Sequence, residues 1–84
     1  MTDEGAETLP ERAHRVLQAA AVEAYGMPGA YVSRDAVIQR MSISDPEEFR
    51  AIAEYLEERG WIAEAASDYR VFVITMAGID AAIS

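Results

Sequence analysis

The clearest chemical pattern in this chain is a row of acids, spaced like one face of a helix, between residues 46 and 58. The apolar residues of this segment share one side of a helical projection and are Phe49, Ile52, Ala53 and Leu56. At about 100° per residue, the opposite side holds Glu47, Ala51, Glu54 and Glu58. Carboxylates so placed could attract a hard cation or a basic partner surface. Since no loop folds around a cation here, we expect a solvated acidic face.

Nucleic-acid binding would favour the opposite charge in this region. Residues 33–60 hold four arginines and seven acids, a net charge of −3, whereas DNA is bound largely through cations that neutralise its phosphates. Arg34, Arg50 and Arg70 could still clamp phosphates, and a glutamate can accept a hydrogen bond from the cytosine amino group. Arg50 also has Glu47 and Glu54 about one helical turn away. We favour ion pairs for these arginines over phosphate contacts.

Catalysis and metal binding have little basis in the sequence. His14 is the single histidine and there is no cysteine, so a transition-metal site would depend on carboxylates alone. His14 lies at the edge of an apolar helical face, which predicts a half-buried surface histidine. The serines fall at expected caps and turns, and the glycines form no phosphate-binding loop. We therefore expect no enzymatic activity, no cofactor and no metal.

Four helices are predicted from capping residues and helical periodicity. Their N-caps are expected to be Thr8, Ser33, Asp45 and Thr75. The first and third caps have the spacing of capping boxes, completed by Glu11 and Glu48. Gly26 and Gly60 should end these same two helices. The buried faces of the first two helices are predicted to be Ala13, Val16, Leu17, Ala20 and Ala24, and Val37, Ile38 and Met41.

A β-hairpin is predicted after the third helix, because the helical period gives way to extended, β-prone segments. Its strands are WIAEAA and YRVFVIT, joined by a polar turn at Ser67 and Asp68. Tyr31 and Val32 should form a further short strand after the loop that follows the first helix. The acidic row therefore belongs to a helix that leads directly into a hairpin.

Length and composition are those of one small folded domain. The chain has 84 residues, of which 51% are hydrophobic, and a net charge of −8. Residues 1–7 are acidic and lack large apolar groups after Met1, which predicts a disordered lead before a domain at 8–84. No segment has the roughly 18 apolar residues that a membrane span needs. We expect a cytoplasmic protein with no membrane contact.

Two segments resemble the winged helix-turn-helix superfamily. YLEERGWI at 55–62 is similar to the end of its third helix and first wing strand, and YRVFVITMAGID at 69–80 to the second wing strand of PadR-like and MarR-like regulators. Thr75 and Gly78 match the "T..G" of that second pattern. The resemblance implies an α+β winged helix, with a three-helix core, a two-stranded β-wing and a short C-terminal helix. It also implies groove-facing residues at Glu47, Arg50, Ala51 and Glu54, with Asp68 and Arg70 on the wing.

Apolar residues on the outer side of the hairpin suggest a protein partner. If Phe72 and Ile74 face the core, then Val71 and Val73 lie on the other side of the sheet. The candidate interface is completed by Trp61, Ile79 and Ile83. Such a surface is typical of a protein partner or a homodimer. The alternative is that the first or last helix covers this side of the hairpin.

Two functions follow from these observations. The first is a non-enzymatic winged-helix module that mediates protein–protein association, favoured by the acidic third helix. The second is a small DNA-binding transcriptional regulator, favoured by the habit of the superfamily. Its candidate DNA contacts are Arg34, Glu47, Arg50, Glu54 and Arg70. The charge of the third helix favours the first function.

Overall fold

The computed structural model describes residues 8–65 and 70–84, and these form an α+β structure of four helices and a three-stranded antiparallel sheet. The elements in chain order are α1 (Leu9–Glu23), β1 (Tyr31–Ser33), α2 (Arg34–Met41), α3 (Pro46–Glu58), β2 (Ile62–Glu64), β3 (Val71–Ile74) and α4 (Met76–Ile83). The predicted disordered lead at 1–7 and the predicted turn at Ser67 and Asp68 lie outside the described residues. The predicted order of helices and strands is confirmed.

The N-terminal caps of the four helices are those predicted from the sequence. Each cap side chain accepts a hydrogen bond from the first turn of its helix, at Thr8, Ser33, Asp45 and Thr75. The capping box of Glu11 is also present. The second predicted box is wrong, because the Glu48 carboxylate forms an ion pair with Arg12 of α1. A full charge on the neighbouring helix competes successfully with a local backbone N–H for this carboxylate.

The sheet has the strand order β1-β3-β2, so the predicted hairpin gains β1 as a third strand. Val32 and Glu64 lie opposite Phe72, and Ile62 lies opposite Ile74. The buried residues Val32, Ile62, Phe72 and Ile74 line one side of the sheet. This side faces the core. The prediction that Val71 and Val73 lie on the other side of the sheet is confirmed.

The core lies between the first three helices and the inner side of the sheet. Its largest fully buried side chains are Leu17, Ile52, Leu56, Ile74, Val16, Val32 and Val37. On α3, the predicted inward residues Phe49, Ile52, Ala53 and Leu56 are all buried. Small residues on α1 allow close packing, and α4 packs mainly against this helix. The orientation of α3 follows from this packing.

Thr75 and Gly78 join the start of α4 to the end of the α3–β2 connection. The Thr75 hydroxyl lies 2.7 Å from the carbonyl oxygen of Gly60 and 3.0 Å from that of Trp61, and it accepts a hydrogen bond from the Gly78 N–H. A Cβ atom at Gly78 would lie 2.2 Å from the Trp61 carbonyl oxygen. The sequence pattern of these two residues therefore has a structural basis in capping and close backbone packing.

Candidate interaction surfaces

The outer side of α3 is an acidic, solvent-exposed stripe. Glu47, Ala51, Glu54 and Glu58 are all exposed, as the helical projection predicted. Their exposure follows from the packing of Phe49 and Leu56 against the core on the opposite side of the helix. We call Glu47, Glu54 and Glu58 the acidic stripe. It places three carboxylates along the face that the winged-helix resemblance would direct toward DNA.

Arg50 lies beside this stripe and close to one of its acids. Its Nη1 atom is 3.9 Å from Glu47 Oε1, one helical turn earlier. This geometry agrees with the ion-pair alternative, with Glu47 as the partner. Because both side chains are mostly exposed to solvent, the pair contributes little to stability. It does, however, place a carboxylate next to the cation that a phosphate would have to reach.

Arg34 and Arg70 lie together at another part of the molecule. The Arg34 backbone N–H donates to the Arg70 carbonyl oxygen at 2.9 Å, and the Arg34 guanidinium carbon is 5.1 Å from the centre of the Phe49 ring. Both arginines line a cleft of about 180 Å³ with Asp35, Ile38, Pro46 and Phe49. Arg50 does not line this cleft, so two of the three predicted phosphate contacts share a surface.

A second group of acids lies where α3 meets the sheet. Partial burial raises the pKa of Glu57 above its ordinary value of 4.5, and the neighbouring charges of Glu64 and Glu54 raise it further. Arg34 acts in the opposite direction on the same carboxyl. Arg34 lines a small pocket with Glu57 and Glu64 as well as the cleft that it shares with Arg70. This environment reduces the attraction that Arg34 can offer to a phosphate.

The outer side of the sheet provides part of the predicted protein interface. Val71 and Val73 are half-buried there, and Tyr31, which lies opposite Val73, is 72% exposed. The last helix packs mainly against α1. The Tyr31 side chain is therefore left exposed to solvent on this side of the sheet.

The remaining predicted interface residues, Trp61, Ile79 and Ile83, differ in their exposure. Trp61 is half-buried, with the Arg59 guanidinium carbon 5.7 Å from the centre of its ring. Ile79 is half-buried against the core, whereas Ile83 is 77% exposed at the end of α4. Ile83 lines a groove that includes none of Trp61, Val71, Val73 and Ile79. Of the five predicted residues, Ile83 alone lines this groove.

The groove that contains Ile83 lies between α1 and α4. It is shallow, has a volume of about 440 Å³, and is lined by Gln18, Ala21, Val22, Tyr25, Gly26, Ala82 and Ile83. Tyr25 is 89% exposed and Val22 is 56% exposed. We call this surface the α1–α4 groove. Sequence reasoning identified only Ile83; Val22 could have been found because it falls outside the predicted buried face of α1.

Tyr25 adopts a left-handed backbone conformation at the end of α1. Its φ is +56°, and Gly26 follows with φ of +71°. The Tyr25 N–H donates to the Val22 carbonyl and the Gly26 N–H to the Ala21 carbonyl, the two hydrogen bonds of a Schellman motif. The helix thus ends at Glu23, and Tyr25 holds the left-handed C′ position, one residue before the Gly26 that the sequence predicted would end the helix.

The end of α2 resembles that of α1, because the Ser42 N–H donates to the Gln39 carbonyl, the Ile43 N–H donates to the Ile38 carbonyl, and Ser42 has φ of +57°. The same pair of hydrogen bonds closes α3, but there the left-handed position is held by Gly60, with φ of +75°. A residue with a Cβ atom costs about 1–2 kcal/mol in this conformation, and glycine does not. Tyr25 thus carries a conformational cost, while its side chain is almost wholly exposed. Strained residues of this kind are concentrated at functional positions.

His14 is half-buried on α1, in the environment predicted for it. Its Nε2 atom is 3.2 Å from the side-chain nitrogen of Gln18, one helical turn later. Within residues 8–65 and 70–84, no group of three or more histidines, aspartates or glutamates is arranged to hold a metal ion.

No protein family, curated protein or solved structure matches this chain. None of the helices in the described part of the chain combines the length and apolar character of a membrane span.

Proposed function

We propose that the protein is a non-enzymatic winged-helix module that works by associating with protein, and that α3 is not a DNA-reading helix. The winged-helix assignment is supported by the order of α2, α3 and the β2–β3 pair, and by a sheet that β1 completes. It is also supported by the exposure of the outer side of α3, the side that such folds present to a ligand.

The acidic stripe is the observation that carries this proposal. Duplex DNA has one negative charge per roughly 1.7 Å of its axis, and proteins bind it by releasing counterions from neutralised phosphates. Glu47, Glu54 and Glu58 would bring three further negative charges to that surface. Arg50, a cation beside this stripe, lies 3.9 Å from Glu47. A basic or polar protein surface fits this face better than a phosphate backbone.

A DNA-binding regulator is the second candidate, and one specific observation favours it. Arg34 and Arg70 line one cleft close to the start of α3, where they could contact adjacent phosphates. In that function, Glu47 or Glu54 would accept a hydrogen bond from a cytosine amino group. The acids around Arg34 weigh against this candidate, because they compete with phosphates for the same guanidinium.

A titration against labelled mixed-sequence duplex DNA tests the proposal. At physiological salt, the wild-type protein should bind no more tightly than the weak, roughly 0.1 mM end of non-specific affinity. The triple variant Glu47→Arg, Glu54→Arg, Glu58→Arg should bind more tightly. Its affinity should also fall more steeply with salt, since each new phosphate contact releases counterions.

A matched pair of single variants distinguishes the effect of charge on the outer face of α3 from the effect of the total charge of the protein. Glu54→Arg and Asp80→Arg each change the net charge by the same amount, but Asp80 is an exposed residue of α4. Glu54→Arg should raise DNA affinity more than Asp80→Arg. Nanomolar binding of one duplex sequence by the wild type, lost in Arg50→Ala or Arg70→Ala, would replace the proposed function with the DNA-binding one.

A further inference from the structure

The α1–α4 groove combines exposed apolar side chains with an absence of charge. Val22, Tyr25 and Ile83 together leave on the order of 400 Å² exposed, a patch of the size that is often functional on small proteins. Among the described residues that line the groove, none is charged at neutral pH. The neighbouring acid Glu23 is paired with Arg40 of α2, at 2.8 Å. In a chain of net charge −8, this is a neutral, apolar face.

The groove is also held in shape before any partner arrives. The Gln18 side-chain amide donates to the Ala82 carbonyl oxygen at 3.3 Å, which ties the end of α4 to α1. Tyr25 is held by the two hydrogen bonds that close α1, although its backbone conformation is unfavourable for a residue with a side chain. The fold therefore keeps a large aromatic group in water at a conformational cost.

We infer that the α1–α4 groove is the interface of a homodimer, in which Tyr25 of each copy enters the groove of the other. A two-fold interface requires that one surface contain both a projection and a matching depression. Tyr25, which is 89% exposed, supplies the projection, and the small residues Ala21, Gly26 and Ala82 that line the shallow groove leave room for a side chain from another copy. The neutrality of the groove also favours a second copy, since two chains of net charge −8 can approach here without bringing charged residues of the groove lining together.

The expected dimer is weak. Two faces of this size, with the small residues around them, bury on the order of 1,000 Å², the lower end of specific interfaces. A dissociation constant of about 10–100 μM is then expected. The inference rests on the proposed function, since self-association is one form of the protein association proposed above. The inference places the interface on α1 and α4, whereas the sequence suggested the outer side of the sheet.

Sedimentation equilibrium tests the inference, over protein concentrations from about 1 to about 500 μM. The wild type should pass from monomer to dimer, and Tyr25→Asn should weaken the dimer by at least about tenfold, because aromatic anchors dominate such interfaces. Asparagine tolerates the left-handed conformation. The Tyr25→Asn monomer should therefore unfold at a higher temperature than the dilute wild type, so its loss of association would not be a loss of folding.

Tyr31→Asn is the matched control, because Tyr31 is also an exposed tyrosine but lies on the outer side of the sheet. It should leave the dimer unchanged. The inference is overturned by a wild type that remains monomeric throughout, by a Tyr25→Asn variant that dimerises normally, or by a Tyr31→Asn variant that does not dimerise.

The two proposals fail in different experiments. A monomeric wild type that also ignores DNA would remove the dimer and leave the proposed function standing. A wild type that dimerises through Tyr25 and binds one duplex at nanomolar affinity would confirm the dimer and contradict the proposed function.

Discussion

Gly78→Ala, in α4, should change the stability of the protein through two opposing effects, helix propensity and steric overlap. Alanine is the better helix former, by about 0.8–1.0 kcal/mol, so helix propensity alone predicts a more stable protein. The packing predicts the reverse. The new Cβ atom would lie 2.2 Å from the Trp61 carbonyl oxygen and 3.0 Å from Ile74 Cγ1, whereas even a weakly attractive carbon–oxygen contact is about 3.3–3.6 Å.

The structure indicates which effect is larger. The obstructing atom is a backbone oxygen, so relief requires α4 to move by about 1 Å or more to restore an ordinary contact. Overpacking of this kind costs about 1–3 kcal/mol. The movement also strains the Thr75 hydrogen bonds to Gly60 and Trp61, each worth about 1 kcal/mol. After subtracting the gain in helix propensity, Gly78→Ala should destabilise the protein by about 2 kcal/mol.

Urea unfolding followed by circular dichroism measures this difference, and the thermal midpoint should fall by about 10 °C for a domain of this size. Ala77→Gly is the matched control, because it removes one methyl group from an exposed residue of the same helix. It should cost only about 1 kcal/mol. If Gly78→Ala were as stable as the wild type or more so, the close approach of α4 to Trp61 would be wrong.

Two further changes test the inner and outer sides of α3. Leu56→Ala should cost about 2–5 kcal/mol by leaving a cavity, whereas Glu54→Ala should be nearly neutral; equal costs in urea melts would contradict the orientation of the helix. Glu57→Gln tests the raised pKa of Glu57. A raised folded-state pKa means that the folded protein keeps this proton more readily than the unfolded chain, so its contribution to stability is present below pH 4.5 and is lost as the pH rises through the folded pKa. The stability of Glu57→Gln relative to the wild type should therefore increase above pH 4.5, and a difference that is independent of pH would show that Glu57 is not perturbed.

Local chemistry explains why the helices could be predicted from the sequence. A cap such as Thr8 or Asp45 acts within three residues of itself, and the inward residues of α3 follow from periodicity alone. Glu48 could not be placed in this way. Its carboxylate could bind either the backbone N–H of Asp45 or the distant Arg12, and the packing of α1 against α3 selects Arg12.

The candidate surfaces depended still more on tertiary packing. The acidic stripe could be predicted because one helix contains all of it. The α1–α4 groove could not, since it requires knowing that α4 packs on α1. The left-handed conformation of Tyr25 could not be predicted either, because glycine is favoured at the C′ position of a helix and Gly26 is the next residue.

The order β1-β3-β2 has a consequence for aggregation. The most β-prone segment of the described chain, β3, lies at the centre of the sheet, and each edge strand is only three residues long. An edge this short offers few unpaired N–H and C=O groups to a strand from another molecule. We therefore expect the folded protein to be a poor template for cross-β growth. The short edges of the sheet thus disfavour strand addition from another molecule, and loss of β1 or β2 by local unfolding would expose the longer central strand.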